Sequence, residues 1–203
     1  MDSIFHNIFI TKVYKQKLPF NLKDLIAEIQ LIEKSDASGR RWSKKNYKNG
    51  YTSYGSLDKL HKFSSSFEML EKKIDIQTNK YLKTLDYLAR TKSDLKMTHC
   101  WINIMPANSQ HTAHIHPQSV ISGTFYVTMP EGASSIKFED PRMGFFMNAP
   151  QVSQHAKSEN KRYLEFPCKP GEVVLFESWL RHEVPTNFSK LPRISISFNY
   201  GWV

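Results

Sequence analysis

The sequence predicts a mainly β protein with α elements: a β-sandwich or barrel core with N-terminal helices packed on it. Three observations carry this. After residue 96 the chain breaks into short β-branched and aromatic segments separated by Pro, Gly, Asn and Ser. Before residue 96 its apolar residues recur at helical spacing. With 203 residues, 40% apolar and 13% aromatic, it can fill one core and is not disordered over most of its length.

The elements follow in order. Ile8–Tyr14 alternates weakly and reads as a first strand. Asn21 is an N-cap for a helix over Leu22–Lys34, with Leu22, Leu25, Ile26, Ile29 and Ile32 on one face. Ser35–Gly55, rich in Ser, Gly, Asn and Lys, reads as a long loop. Ser64–Leu88 reads as a second helix, with Phe67, Leu70, Ile74, Tyr81, Leu85 and Leu88 on its core face. Six strands are expected over 97–105, 119–129, 134–138, 162–166, 172–177 and 193–200. In the last, Ile194, Ile196 and Phe198 alternate with Ser195, Ser197 and Asn199, the mark of a half-buried antiparallel strand. The change of texture near residue 95 divides one domain over 1–203 into an extension, 1–95, and a β core, 96–203.

Composition narrows the function classes. The formal net charge is +9, and residues 1–100 carry 19 Lys/Arg against 11 Asp/Glu, so the basic character belongs to the first half. Its densest stretch, residues 40–48, interleaves basic and aromatic side chains, a pattern that suits an anionic or nucleic-acid substrate. No apolar run is long enough for a membrane span and no secretory leader is visible, so a cytoplasmic location is expected. Two cysteines, Cys100 and Cys168, make no disulfide framework and no thiolate zinc site. Gly-rich nucleotide loops, Gly-x-Ser-x-Gly and His-Glu-x-x-His are all absent.

The chemistry lies in the histidines. Three fall within His111-Thr-Ala-His114-Ile-His116. On an extended segment His114 and His116 project to one face and can grip one metal ion, with His182, after an apolar run, as the third ligand. His111 is an alternative ligand, and Glu139 or Asp140 could supply a carboxylate. Arg193 and Ser195 share one side of the last strand, and a guanidinium beside a hydroxyl is a clamp for a carboxylate.

His114-Ile-His116, His182 and Arg193-x-Ser195 together resemble the iron(II)/2-oxoglutarate-dependent oxygenase superfamily. A closer resemblance, to a bacterial and phage family of such oxygenases, is carried by several further segments. These are Trp42, Gly50-Tyr51-Thr52-Ser53, Trp101-Ile-Asn103, Ser122-Gly-Thr-Phe-Tyr-Val127, Phe138-Glu-Asp-Pro-Arg142 and Pro170-Gly-Glu-Val-Val-Leu-Phe176. The resemblance implies a double-stranded β-helix, a jelly-roll or cupin-like core. It implies Fe(II) on His114, His116 and His182, with 2-oxoglutarate and O2 as cosubstrates. Arg193 and Ser195 would take the far carboxylate, Asn103 the near one, and Tyr126 would reach the pocket. Arg142 and Met143–Glu159 would form a lid with the basic loop near residues 40–55. A hydroxylated product, and a homodimer as in many relatives of this fold, are further expectations. One position departs from the superfamily: His116 stands where a carboxylate ligand is usual. That keeps a second reading in play, a three-His cupin-like metal enzyme or metal-binding module that does not use 2-oxoglutarate.

Overall fold

Alternating apolar and polar residues build two antiparallel sheets in the computed structural model, which describes residues 3–87 and 94–203. The strands are β1 (Tyr14–Lys17), β2 (Tyr51–Thr52), β3 (Leu95–Met105), β4 (His111–His114), β5 (Ile121–Thr128), β6 (Ile136–Glu139), β7 (Tyr163–Phe166), β8 (Glu172–Glu177), β9 (His182–Val184) and β10 (Arg193–Trp202). The helices are α1 (Leu22–Ser35), α2 (Ala37–Asn46) and α3 (Ser65–Thr84). The larger sheet has the order β1-β8-β5-β10-β3-β2 and the smaller β4-β9-β6-β7.

Strand β10 lies between β3 and β5 and decides what each face of the large sheet does. Its Ile194, Ile196 and Phe198 join Ile102, Phe125, Val173 and Leu175 in one core with Leu25 and Ile29 of α1 and Phe67, Leu70, Ile74 and Tyr81 of α3. Each such side chain contributes roughly 1.5–3 kcal/mol on burial. Its Arg193, Ser195 and Ser197 stand opposite Met105, Asn103 and Trp101 of β3, and Ser195 and Ser197 opposite Tyr126 and Thr124 of β5. Directly opposed residues share a face, so this polar row is common to three strands. It looks toward the small sheet, where Tyr126, Val174 and Phe176 pack on Ile136 and Phe138. Gly123 lets β5, β8 and β10 close up, because a Cβ there would lie 2.5 Å from Phe198 Cζ and 2.6 Å from the Val174 carbonyl oxygen.

Local signals placed several elements well. Asn21 accepts from the Asp24 amide to cap α1, and Ser64 accepts from the Phe67 amide to cap α3. Leu88, expected on the α3 stripe, lies outside the described residues. The first strand is shifted: Ile8, Phe9 and Ile10 are exposed, and pairing begins at Tyr14, opposite Leu175 of β8. A tertiary partner fixes that register, since the Tyr14 hydroxyl donates to Gln77 Oε1 of α3 at 2.8 Å. The extended segment expected to carry His114 and His116 is β4, which ends at His114, and His182 opens a further short strand, β9.

The largest correction concerns residues 35–55, which contain helix α2 in place of an unbroken loop. Asp36 caps it, accepting from the Gly39 amide at 2.8 Å, and also accepts from the Tyr51 hydroxyl at 2.9 Å and the Ser56 hydroxyl at 2.5 Å. Only Gly39 and Ser43 are buried within α2, so its inward face is made of small residues and shows no apolar stripe. Asp36→Ala removes the cap and two side-chain bonds, and is expected to lower unfolding stability by roughly 2–4 kcal/mol. Urea unfolding measures this, and a loss under about 1 kcal/mol would contradict the role given to Asp36. No helix among the described residues is long and apolar enough to cross a membrane.

Candidate metal centre

The small sheet assembles the histidines. His114 of β4 sits directly across from His182 of β9, and His182 is also paired with Phe138 of β6. His116 lies two residues past the end of β4, so strand alternation does not place it; its amide donates to the Ser178 carbonyl at 3.0 Å, and that contact does. One ligand nitrogen from each of His114, His116 and His182 lies within 4.8 Å of the others, and among the described residues this is the one such His/Cys/Asp/Glu group.

The ring tautomers are set by backbone carbonyls. His114 Nδ1 donates to Thr112 O at 2.7 Å and His182 Nδ1 to Leu180 O at 2.8 Å. Both bonds leave Nε2 with its lone pair free, the arrangement that orients a metal-ligating imidazole. The Nε2 atoms of His116 and His182 are 3.3 Å apart on parallel rings. That spacing suits two nitrogens on one cation at bonds of about 2.1 Å. Burial, reinforced by the neighbouring imidazoles, lowers His116 to about 3 and His182 to about 4; burial lowers His114 as well. The rings are therefore neutral near pH 7, the form that binds metal.

His111 is adjacent but outside this group. Its ring centroid is 4.3 Å from that of His114 and it meets Tyr47 edge-on at 5.5 Å. The two carboxylates considered as ligands are engaged elsewhere: Asp140 holds Arg142 through two bonds of 2.9 and 2.8 Å, and Glu139 holds Arg181 at 3.2 Å. No residue of 143–159 lines the histidine cavity, and of residues 40–55 only Tyr47 does.

The other wall is the polar row of the large sheet. Arg193 is 2% exposed. Its Nη1 donates to Met105 Sδ at 3.1 Å and Ser195 Oγ at 3.2 Å, its guanidinium lies 5.2 Å from the Tyr126 ring centroid, and its Nε has no partner. Among the described residues no carboxylate pairs with it. A buried charge without a counter-ion is strongly unfavourable, so this cavity calls for an anion. Asn103 faces the same cavity and donates to Ser197 Oγ at 3.0 Å. The hydroxyls of Tyr126 and Tyr47 are also buried without partners. Tyr47, Met105 and Val184 were not singled out from sequence; Tyr47 lay in the segment read as loop, and the other two look like ordinary core residues.

Three neutral imidazoles facing a buried, unpaired guanidinium across one cavity fit a divalent metal together with a small dianion. Residues 99–199 match the sequence model of the family described as "Putative 2OG-Fe(II) oxygenase". Comparison with curated proteins finds no match. Among solved structures, HygX from Streptomyces hygroscopicus, determined with nickel, 2-oxoglutarate and hygromycin B bound, is similar with a TM-score of 0.63 at 12% identity, over 95% of this chain and 84% of that one. EctD from S. alaskensis in its apoform is similar with a TM-score of 0.64 at 11% identity, over 95% and 73%. A Pseudomonas putida prolyl-4-hydroxylase gives 0.61 at 14% identity, over 95% and 94%. These likenesses establish the fold, the double-stranded β-helix expected from the sequence. With the family match over the segment that contains every one of these histidines and Arg193, the chain belongs to the 2OG-Fe(II) oxygenases.

Proposed function

We propose that this iron(II)- and 2-oxoglutarate-dependent dioxygenase is a hydroxylase that holds its metal on His114, His116 and His182. Arg193 and Ser195 bind the distal carboxylate of 2-oxoglutarate, and Asn103 orients the proximal one. The observation that carries this is the buried Arg193 guanidinium, unpaired with any described carboxylate and in one cavity with the histidines. When bound, the iron couples oxidative decarboxylation of 2-oxoglutarate to transfer of one oxygen atom, so that substrate, O2 and 2-oxoglutarate give hydroxylated product, succinate and CO2.

The chain's own residues supply charge and shape. Three neutral ligands leave the metal's double positive charge undiminished, and Arg193 adds a third positive charge at the far end of the cavity. A dianion with a carboxylate at each end matches that field; a monocarboxylate leaves Arg193 unpaired. Tyr126 supports the guanidinium with its ring face. Phe176 and Phe138 pack behind His182, at 4.6 and 6.2 Å between ring centroids, and keep water from that side. Titration calorimetry of 2-oxoglutarate into nickel-loaded protein is expected to show one binding equivalent. Absence of binding would favour the reading as a three-His metal protein that does not use this cosubstrate.

For the substrate, an anionic molecule docking on α2 is the reading supported by charge. Arg41, Lys44 and Lys45 are exposed there and Lys48 just past its end, beside the part-exposed Trp42 and Tyr54. Tyr54 leads inward, meeting Trp101 at 5.0 Å, and Trp101 lies 6.0 Å from His116. A labelled single-stranded oligonucleotide is the probe. Binding is expected to weaken steeply with salt, and by about tenfold or more when those four residues become Gln. Salt-independent or unchanged binding would contradict the assignment.

A further inference from the structure

Among the polar side chains that line the cavity is a hydroxyl that neither the family match nor the carboxylate clamp accounts for, that of Tyr47. Tyr47 is the C-cap residue of α2, its amide donating to the Ser43 carbonyl at 2.7 Å. It lies outside residues 99–199, the segment that matches the family. Its side chain is 6% exposed and packs with Met105 and Val184. Its ring stands edge-on to His111, and Gly50 makes room for it, since a Cβ at that position would lie 2.6 Å from Tyr47 Cε1. The ring is thus pinned from several sides, while its hydroxyl has no hydrogen-bond partner. A phenol held so firmly with an idle donor is unfavourable unless something else accepts from it.

The surroundings identify the acceptor. Tyr47 lines the same cavity as Arg193 and Ser195. Burial raises its pKa to about 12, and the next influence on it is the Arg193 charge, which lowers it. The phenol therefore stays protonated as a donor, and Met105, which accepts from Arg193 Nη1, also packs with Tyr47, so the two side chains are neighbours through it. Tyr126, the other buried tyrosine with an idle hydroxyl, presents its ring face to the guanidinium and does not line the cavity.

We infer that Tyr47 is a third ligand of the distal carboxylate, its hydroxyl donating to the same group that Arg193 and Ser195 hold. This rests on the 2-oxoglutarate reading above. Its consequence is that the segment before the family's matched region contributes a cosubstrate-binding residue, and that α2 forms the end wall that measures the length of the keto acid. A dicarboxylic keto acid gains the Tyr47 bond; pyruvate, with no distal carboxylate, does not.

The test is anaerobic titration of iron(II)-loaded protein with 2-oxoglutarate and with pyruvate, read by the visible absorption of the keto-acid chelate, for wild type and Tyr47→Phe. The expected result is a roughly tenfold higher Kd for 2-oxoglutarate, equivalent to about 1.4 kcal/mol, with the Kd for pyruvate and for iron(II) unchanged. Melting of the Tyr47→Phe apoprotein is expected at the same temperature or higher, because the variant loses only an unpartnered hydroxyl. Equal 2-oxoglutarate affinity in both proteins overturns the inference and leaves the oxygenase reading standing. So does a fall in melting temperature with parallel loss for both keto acids, which assigns Tyr47 to packing. Failure of wild type to bind 2-oxoglutarate refutes the functional reading, and the inference with it.

Discussion

Arg193→Met is expected to abolish 2-oxoglutarate binding and at the same time to make the apoprotein more stable. The guanidinium is 2% exposed, its Nε has no partner, and its Nη1 spends its hydrogen bonds on a thioether and a hydroxyl. Without its anion this is a charge held in a poor solvent. Methionine has similar volume and sits well beside Met105 and the Tyr126 ring, so the substitution removes the charge without opening a large cavity. Loss of a buried charge-assisted clamp corresponds to roughly 3 kcal/mol or more, a factor of at least about 100 in Kd. Relief of the unpaired charge is expected to raise the apoprotein melting temperature by about 2–6 °C. Calorimetric titration and thermal melting read the two effects separately. A large fall in melting temperature would mean that Arg193 is held by the protein itself, and an unchanged Kd would remove it from the cosubstrate site.

His182→Ala is expected to have the second large effect, on the metal. His182 is 5% exposed, bonded through Nδ1 to Leu180 O, and enclosed by Phe138, Phe176 and His114. Its Nε2 can therefore point only into the cavity, toward His116. Outer-shell partners of metal sites are typically worth 10–100-fold in affinity, so loss of a ligand itself should exceed about 1,000-fold. The cavity left behind costs about 1–3 kcal/mol of stability, too little to unfold an ordinary domain. His111→Ala is the companion variant. Its ring touches His114 but lies outside the three-residue group, and its removal should weaken metal binding no more than about tenfold, as an outer-shell neighbour does. Nickel titration followed by calorimetry separates the two. Comparable losses in both variants would show that the ligand set includes His111.

What the sequence revealed and what it hid divide along physical lines. The Asn21 cap was legible because its side chain bonds an amide three residues away, an interaction that sequence spacing contains. Alternation along β10 was legible for the same reason, and it put Arg193 and Ser195 on one face. Helix α2 was not, because its buried positions are Gly39 and Ser43 and its stability depends on Asp36 bonding Tyr51 and Ser56, residues well beyond the helix. Tyr47 was hidden with it. The place of β1 depended on Gln77 and Leu175, far along the chain. His114 and His182 were proposed together from their order, but the cross-strand register that sets them face to face is a tertiary fact. His116 reaches the group through Ser178, a contact that strand periodicity does not contain.

We propose that one cavity holds iron on three histidines and 2-oxoglutarate between that iron and Arg193. Anaerobic addition of iron(II) and then 2-oxoglutarate to apoprotein tests it most directly, through the weak visible charge-transfer absorption of an iron(II)–keto-acid chelate. That absorption is expected in the wild-type protein and is expected to be absent from both His182→Ala and Arg193→Met. Protein that binds iron(II) yet develops no absorption with saturating 2-oxoglutarate would contradict it.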